Sequence, residues 1–471
     1  MIRLPLRFRA IGDSYLFVND AGVSFRGDRT FLDRMATSKW TSEDDAFLLQ
    51  EGHAASDDGD LRYLAHLQGL ARRIAAPKPL QYLILVPTLR CNLDCSYCQV
   101  SRVPVQQPGF DWTEETLAAV LRLIDELSGP QVKIEFQGGE PLLRPDLLRR
   151  VIEHTKRRLP EASFVICTNL SRLDGEALDL IARPDVFVST SLDGPVAVHE
   201  RNRTRVEPET RRFELNMAQL VDEFGPNKVS ALPTVDIANP PDMDGLIDAY
   251  IKYGLTSIYL RPVNYQGFAR KRHAYVRNDE ESWHGYYAAF VRRLIARNWV
   301  DRAHVIEEFY FKLCLRRIFQ PGHDDHVDLR NPNLLGTDYL VIDHDGALYP
   351  TDEARMVTRS GVMDLRIGDV QSGIDHDTLA TLNRFSSNNF DADCVHCAYQ
   401  PYCGRDVVDD IARHGRIDLQ RRFTAFCQRH LAIFDLAFEL IHSQDPQVHY
   451  SLRRWLDMPG DGPLPVAELH D

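Results

Sequence analysis

From Gln81 onward, short runs of apolar and β-branched residues alternate with stretches whose apolar positions recur every three or four residues. The runs fall at 82–86, 132–136, 163–168, 186–191, 228–235 and 257–261. The helical periods between them are clearest at 114–127, 145–159, 175–182, 214–224 and 243–253. Strand-length runs alternating with helices imply parallel strands joined by right-handed crossovers. Six such units predict an α/β fold of the (β/α)6 partial TIM barrel type.

The flanks carry other patterns. Residues 15–18 and 22–25 alternate around Asn19, Asp20, Ala21 and Gly22, which predicts a hairpin. Helical stretches follow at 29–35, 41–50 and 61–74, with Ser42 and Asp45 as a start signal for the second. The Ala- and Pro-rich segment 75–79 reads as a linker. Beyond Tyr265 lie two long helical patterns, at 279–298 and 304–319. A hairpin is expected at 338–349 with Asp345 and Gly346 at its turn, and a helix at 424–442. The expected division is residues 1–78, a winged-helix-like element; 79–265, the barrel; 266–330, a helical connection; 331–457, a cysteine-bearing domain; and 458–471, a flexible tail rich in Pro, Gly and acids.

Charge and composition narrow the function classes. Asp and Glu number 68 against 55 Lys and Arg, a net charge of −13, which argues against a nucleic-acid backbone as main partner. No apolar run approaches the roughly 20 residues that span a bilayer. The opening MIRLPLRFRA alternates apolar and basic residues and lacks the apolar core of a secretory signal, so a cytoplasmic, reducing setting is expected. In that setting nine cysteines, an odd number, do not suggest a disulfide framework. Cys167 and Cys314 sit among apolar residues and read as small buried hydrophobes. The other seven cysteines form two clusters.

Cys91, Cys95 and Cys98 follow the first barrel strand with three and then two residues between them. Thiolates are the protein ligands of iron–sulfur clusters, and close spacing lets one loop wrap one cluster. Three ligands leave one iron open to bind a reacting molecule. No nearby histidine completes a tetrahedral zinc set. The loop also leaves the C-terminal end of a barrel strand, where parallel barrels build their active sites. Cys394, Cys397, Cys403 and Cys427 supply four thiolates, a closed set that suits structural zinc or a complete [4Fe–4S] cluster equally well.

The trio with Tyr97, opening a barrel, resembles the cluster loop of radical S-adenosylmethionine (SAM) enzymes. In that family the open iron chelates the cofactor, which an electron cleaves to a 5′-deoxyadenosyl radical. The resemblance implies a [4Fe–4S] cluster and SAM as cofactors and a flavodoxin- or ferredoxin-type electron donor. Gly138, Gly139 and Glu140 resemble the family's Gly-Gly-Glu-Pro segment, the glycines admitting a close backbone approach and Glu140 accepting from the cofactor's ammonium group. Thr168 and Asn169 end the third strand and Ser191 the fourth; each is either a cofactor contact or a strand-end cap. Leu260 is expected beside the adenine. The arginines at 201, 203, 205, 211 and 212 read either as a site for a peptide carboxylate or as a solvated loop.

The C-terminal cysteines and hairpin resemble the SPASM extension of radical enzymes that modify peptides. There the pattern departs from the family: Thr351 and Val407 stand where ligands of a first auxiliary cluster belong, and no cysteine lies around 334–337. One auxiliary [4Fe–4S] cluster, fully ligated, is therefore expected. Asp352 stands where sulfatase-maturing relatives carry a proposed catalytic carboxylate; it reads equally as part of a charged turn. The N-terminal unit is similar to elements that bind leader peptides by strand addition at 15–18 or 22–25, or it caps the barrel. The opening LRFRAIGDSYLFVNDAG, the Thr-Asp-Glu-Ala-Arg-Met segment at 351–356 and YQPYCGRDVVDDIARHGRID at 399–418 most resemble the His-Xaa-Ser system radical SAM maturases, which implies a precursor peptide with a leader and His-Xaa-Ser repeats, and oxidative crosslinking of a side chain. The alternatives are sulfatase-type formylglycine formation and a non-catalytic iron–sulfur peptide-binding scaffold. Neither membrane nor nucleic acid is an expected partner.

Overall fold

A computed structural model describes residues 1–74, 78–273, 277–322 and 326–469. Part of the expected linker, 75–77, lies outside the described residues. The alternating apolar and basic opening is itself a strand, β1 (Leu6–Ile11), which the sequence reading used only against a secretory signal. It forms an antiparallel meander with β2 (Ser14–Asn19) and β3 (Ser24–Gly27). Helices α1 (Arg29–Thr37), α2 (Ser42–Gln50) and α3 (Leu61–Arg73) follow, close to their expected bounds. Phe17, Phe25, Phe31, Leu32 and Leu48 bury the face between meander and helices. The capping pair of α2 lies one residue earlier than the expected Ser42 and Asp45. Thr41 caps it, accepting from the Asp44 N–H at 3.1 Å, and the Asp44 carboxylate accepts from the Thr41 N–H at 2.9 Å.

The central sheet holds β4 (Leu80–Thr88), β5 (Ser128–Gly138), β6 (Ser163–Cys167), β7 (Val186–Ser191), β8 (Val229–Leu232), β9 (Tyr339–Ile342) and β10 (Leu348–Tyr349). Its order is β8-β7-β6-β5-β4-β9-β10, and the strands from β8 to β9 are parallel. Helices α4 (Glu114–Leu127), α5 (Pro145–Arg158), α6 (Gly175–Ile181), α7 (Glu207–Phe224) and α8 (Met243–Ile251) supply the crossovers. Leu83, Leu85, Ile134, Phe136, Phe164 and Ile166 face these helices in the main core.

Two features correct the expected barrel. The sixth strand is split: Ser257–Ile258 pairs with Glu307–Glu308, and Arg261–Pro262 with Thr234–Val235. Pro233 and Pro262 cannot donate to a continuous ladder, and the Leu260 N–H goes instead to the Glu308 carboxylate at 3.0 Å. The C-terminal hairpin, for its part, joins the central sheet, with Tyr339 beside Tyr82 and Ile342 beside Leu85 in parallel register.

Further elements include α9 (Arg277–Val300), α10 (Phe309–Phe319), α11 (Asp352–Arg359), α12 (Val407–His414), α13 (Ala425–Ile441), α14 (Pro446–Trp455) and β11 (Ala467–Glu468). α10 starts later than expected because Glu308 caps it, accepting from the Phe311 N–H at 2.6 Å. The tail is not a loose end: Leu464 is buried, and β11 pairs in parallel with β3. No described helix is long and apolar enough to cross a membrane.

Candidate functional site

The loop bearing Cys91, Cys95 and Cys98 leaves β4 and is fastened at several points. The Ser96 N–H donates to the Asn202 carbonyl at 2.8 Å. The Tyr97 hydroxyl, buried, donates to both oxygens of Asp193 at 2.7 and 2.8 Å and accepts from Arg203 at 3.0 Å. Tyr97 thus anchors the loop to the end of β7. Arg203 rides on a π-helical turn, Glu200–Thr204, a geometry that recurs at functional sites. Burial pushes the Cys91 and Cys98 thiols up to about 12, and Arg203 opposes the shift at both. A metal taken up here must displace protons from these thiols.

The glycines have a definite task. A Cβ on Gly138 would stand 2.2 Å from the Thr88 carbonyl oxygen, and one on Gly139 would stand 2.2 Å from that of Arg90. The Gly139 and Glu140 N–H groups bond the Thr88 and Arg90 carbonyls at 3.0 and 2.8 Å. The end of β5 therefore packs directly beneath the start of the cysteine loop. The Glu140 carboxylate is buried and accepts from the Leu142 N–H at 3.0 Å and the Asn169 N–H at 2.8 Å, tying β5 to β6. Asn169 donates to Asn92 at 2.9 Å and reaches the Cys91 sulfur at 3.9 Å. Thr168 caps its own turn, accepting from the Leu170 N–H at 3.1 Å. Ser191 ends β7 with no hydrogen bond from its hydroxyl among the described residues, so it can engage a ligand.

Cys167 is not merely a small hydrophobe. Its thiol donates to Glu135 at 3.0 Å, in a polar group with Gln137 and Tyr82. Cys314 is buried in the apolar core as expected.

A cavity of about 120 Å³ runs from Gln99, next to Cys98, past Leu260 to Asp328, Glu353, Asp406 and Asp409. Asp352 is absent from this lining. It is buried and paired with Arg355 at 2.8 Å, while its N–H donates to the Tyr339 hydroxyl at 3.2 Å. Its neighbour Glu353 faces the cavity, and burial, then Asp352 and Asp328, push its carboxyl up to about 7. The sequence holds Glu353, Arg203 and Asp193 inside wider candidate segments without singling any of them out. The residues Ser-Leu-Asp-Gly at the end of β7 were the available signal for Asp193. Of the other arginines, Arg201 meets the Asn239 carbonyl at 3.1 Å, and Arg212 lies on α7 rather than in a loop and pairs with Glu209 one turn back at 3.1 Å.

Cys394, Cys397, Cys403 and Cys427 line a second cavity of about 240 Å³, walled on one side by Phe8 and Arg9 of β1. Burial pushes the Cys394 thiol to about 12 and the Cys427 thiol to about 11. Among the described residues, no three cysteine sulfurs lie within 4.8 Å of one another. Tetrahedral zinc, with Zn–S near 2.3 Å, would hold them about 3.8 Å apart. Val407 and Leu335, by contrast, pack with Ala354, Val357 and Ile411 in a closed apolar core, and Thr351 caps α11, accepting from the Ala354 N–H at 3.1 Å.

Fold and site together define a metal-cluster enzyme whose cysteine loop opens a parallel α/β sheet. Comparison with known proteins supplies the particular domain: residues 85–235 match the Radical SAM superfamily. The segment carries a radical SAM domain, and its cofactors are a [4Fe–4S] cluster and SAM. The chain is 34% identical over 118 residues to a GTP 3′,8-cyclase of Chlorobaculum tepidum, covering 25% of this chain and 32% of that protein. It is 29% identical over 134 residues to a cysteine-type anaerobic sulfatase-maturating enzyme of Clostridium perfringens, covering 26% and 36%. The chain spans less than half the length of the curated relatives it matches. The solved structure of anSMEcpe with bound AdoMet and Cp18Cys peptide superposes with a TM-score of 0.61 at 18% identity, covering 77% of this chain and 97% of that one. Streptococcus suis SuiB bound to SAM gives 0.50 at 14%, covering 88% and 97%. These likenesses give the fold: a radical SAM α/β fold with a mixed central sheet, followed by a C-terminal extension.

Proposed function

We propose that the chain is a radical SAM peptide maturase that oxidatively modifies, and in our reading crosslinks, a side chain of a ribosomally made precursor peptide. The single observation that carries the reading is the Cys91, Cys95, Cys98 loop seated on Gly138 and Gly139 at the end of the first barrel strand. When bound, the cluster and SAM supply a 5′-deoxyadenosyl radical able to take a hydrogen atom from the substrate.

The chain's own residues do the rest. Cys91, Cys95 and Cys98 hold the cluster, and Tyr97, Asp193 and Arg203 hold the loop and set a positive charge beside it. Glu140 shapes the cofactor cradle from below: each of its oxygens accepts one backbone N–H and keeps acceptor capacity for the cofactor's ammonium group. Ser191, Thr168 and Asn169 face the cofactor from the ends of β7 and β6, and Leu260 flanks the adenine. Of the two adjacent carboxylates, Asp352 is held by Arg355, so Glu353 is the better proton acceptor for the substrate group. Cys394, Cys397, Cys403 and Cys427 hold one auxiliary cluster able to take the electron left by oxidation. A His-Xaa-Ser repeat peptide is the substrate we favour.

The sulfatase-type reading draws support from the anSMEcpe fold and from the sulfatase-maturating relative. The apolar core around Val407 and Leu335, where a first auxiliary cluster would sit, counts against it. Anaerobic reconstitution with dithionite and SAM is the test. The wild type should release 5′-deoxyadenosine and Cys98→Ala should release none; a wild type without that product sinks the proposal.

A further inference from the structure

The cavity beside Gln99 and Leu260 is lined by charges that the chain leaves uncombined. Arg261 enters it from the divided sixth strand and Arg429 from α13. The Nε of each is buried and meets no acceptor among the described residues. Arg405 and Arg421 also have an unbonded Nε, but each forms an ion pair through another nitrogen, with Asp391 at 3.3 Å and with Asp410 at 2.5 Å; Arg261 and Arg429 form none among the described residues. A buried donor without an acceptor costs stability unless something outside the chain supplies one. The tyrosines of the same wall show where such a group would sit. Tyr287 donates to Glu308, and Tyr310 bonds His430 at 2.7 Å. The Tyr259 hydroxyl has no partner of this kind, and both guanidinium groups lie within its electrostatic reach. Arg261 also stacks on the Tyr259 ring, 5.5 Å from its centroid.

The acids of the cavity limit the charge of an occupant. Asp409 is taken by Arg413 at 3.0 Å. Asp406 spends one oxygen capping α12, accepting from the Val408 and Asp409 N–H groups at 2.9 and 3.2 Å. Burial pushes the carboxyls of Asp406 and Glu353 up, which favours their neutral forms. Asp328 is left to face Arg429. Two guanidinium groups against that one carboxylate leave room for a single further negative charge. A carboxylate carries one charge and fits a guanidinium fork in its plane; the second charge of a phosphate would meet Asp328. We propose that Arg261, Arg429 and the Tyr259 hydroxyl form a receptor for one carboxylate of the substrate peptide, either its C-terminal group or an Asp or Glu side chain. The same cavity reaches Gln99, next to Cys98, so the held carboxylate decides which neighbouring residue of the peptide meets the first cysteine loop. That the carboxylate belongs to a peptide rests on the peptide-maturase reading; the receptor itself does not.

The test titrates the reconstituted full chain, saturated with SAM and free of reductant, with small probes read by saturation-transfer NMR. N-acetylalanine carries a terminal carboxylate, the α-amide of N-acetylaspartic acid a side-chain carboxylate, and N-acetylalanine amide none. At least one of the two acids should bind about tenfold or more tightly than the amide, the scale of charge-assisted hydrogen bonds. The ratio between the two acids identifies the source of the carboxylate. Arg261→Gln and Arg429→Gln should each cost the acid about tenfold and leave the amide unchanged, and Arg261→Lys should recover part of the loss. No preference for an acid over the amide, an undiminished preference in both glutamine variants, or tighter binding of inorganic phosphate than of either acid overturns the proposal. If the glutamine variants do not fold, Tyr259→Phe, which removes one oxygen, takes their place: the acid should lose several-fold and the amide nothing, and equal loss by both overturns the proposal. Acid binding without release of 5′-deoxyadenosine would refute the enzymatic reading alone; release of that product with no preference for an acid would refute this inference alone.

Discussion

Arg203 has a measurable consequence at the scale of single residues. It contacts Tyr97 and lies within electrostatic reach of Cys91 and Cys98. Net charge near the sulfurs helps set a cluster's potential. Arg203→Gln should lower the midpoint of the cluster bound by the first cysteine loop in an EPR-monitored redox titration, leaving iron content near wild type; an unchanged midpoint rules out the charge effect. Glu308 makes a prediction about pH. Burial raises its carboxyl from 4.5 to about 7, against hydrogen bonds from Tyr287, Phe311 and Leu260. The folded chain therefore keeps a proton that the unfolded chain gives up near 4.5. The stability this contributes is complete below that value and is lost as pH rises through about 7. Its full size is on the order of 3 kcal/mol. Glu308→Gln should flatten the decline in urea-unfolding stability across that window. The cysteine trio was legible because its spacing is local. Arg203 was not: in sequence it is one of five nearby arginines, and only the π-helical turn separates it from its solvated neighbours. Glu140 stands out in the sequence by its place after the glycine pair, but its tie to the Asn169 N–H at the end of β6 is a contact no local pattern encodes.

Among the elements, α11 and α12 are the informative pair. Leu335, Ala354 and Val407 fill the space between them with apolar side chains. Restoring cysteines alone should then fail to build another cluster. A Thr351→Cys, Val407→Cys double variant should still carry about eight irons per chain after reconstitution. About twelve would mean that the space opens readily, and about four with one zinc would make the C-terminal site structural. The helices and the first four barrel strands were readable from period and length, since each buries one face against neighbours close in sequence; the fifth, expected at 228–235, breaks at Pro233 into Val229–Leu232 and Thr234–Val235. The sixth strand was not. Its residues have strand-like composition, but two prolines and the Glu308 carboxylate divide its hydrogen bonds among three partners. The hairpin was readable as a hairpin; its place beside β4 is a pairing across more than 250 intervening positions, as the register Tyr82 to Tyr339 records, and no local pattern encodes it.

Across the whole molecule, the first and last segments of the chain meet. β1 walls the second cysteine cavity with Phe8, which is 47% exposed, and with Arg9, paired to Asp435 with a second contact at 2.5 Å. The cover is thin, and an ion pair this exposed is worth about 1 kcal/mol or less. A Phe8→Ala, Arg9→Ala variant should keep its fold and its deoxyadenosine output yet lose auxiliary-cluster absorbance in air several-fold faster than wild type. Equal bleaching rates would show that β1 does not shield that site.

The seating of β9 on β4 has a practical corollary for anyone who trims the gene. A C-terminal extension that merely decorates a catalytic core can be deleted to leave a slower but soluble enzyme. Here the deletion would strip one side of Leu80–Thr88, the strand that delivers the cysteine loop, and leave its amides and carbonyls open to any passing chain. Such a truncate should emerge as inclusion bodies.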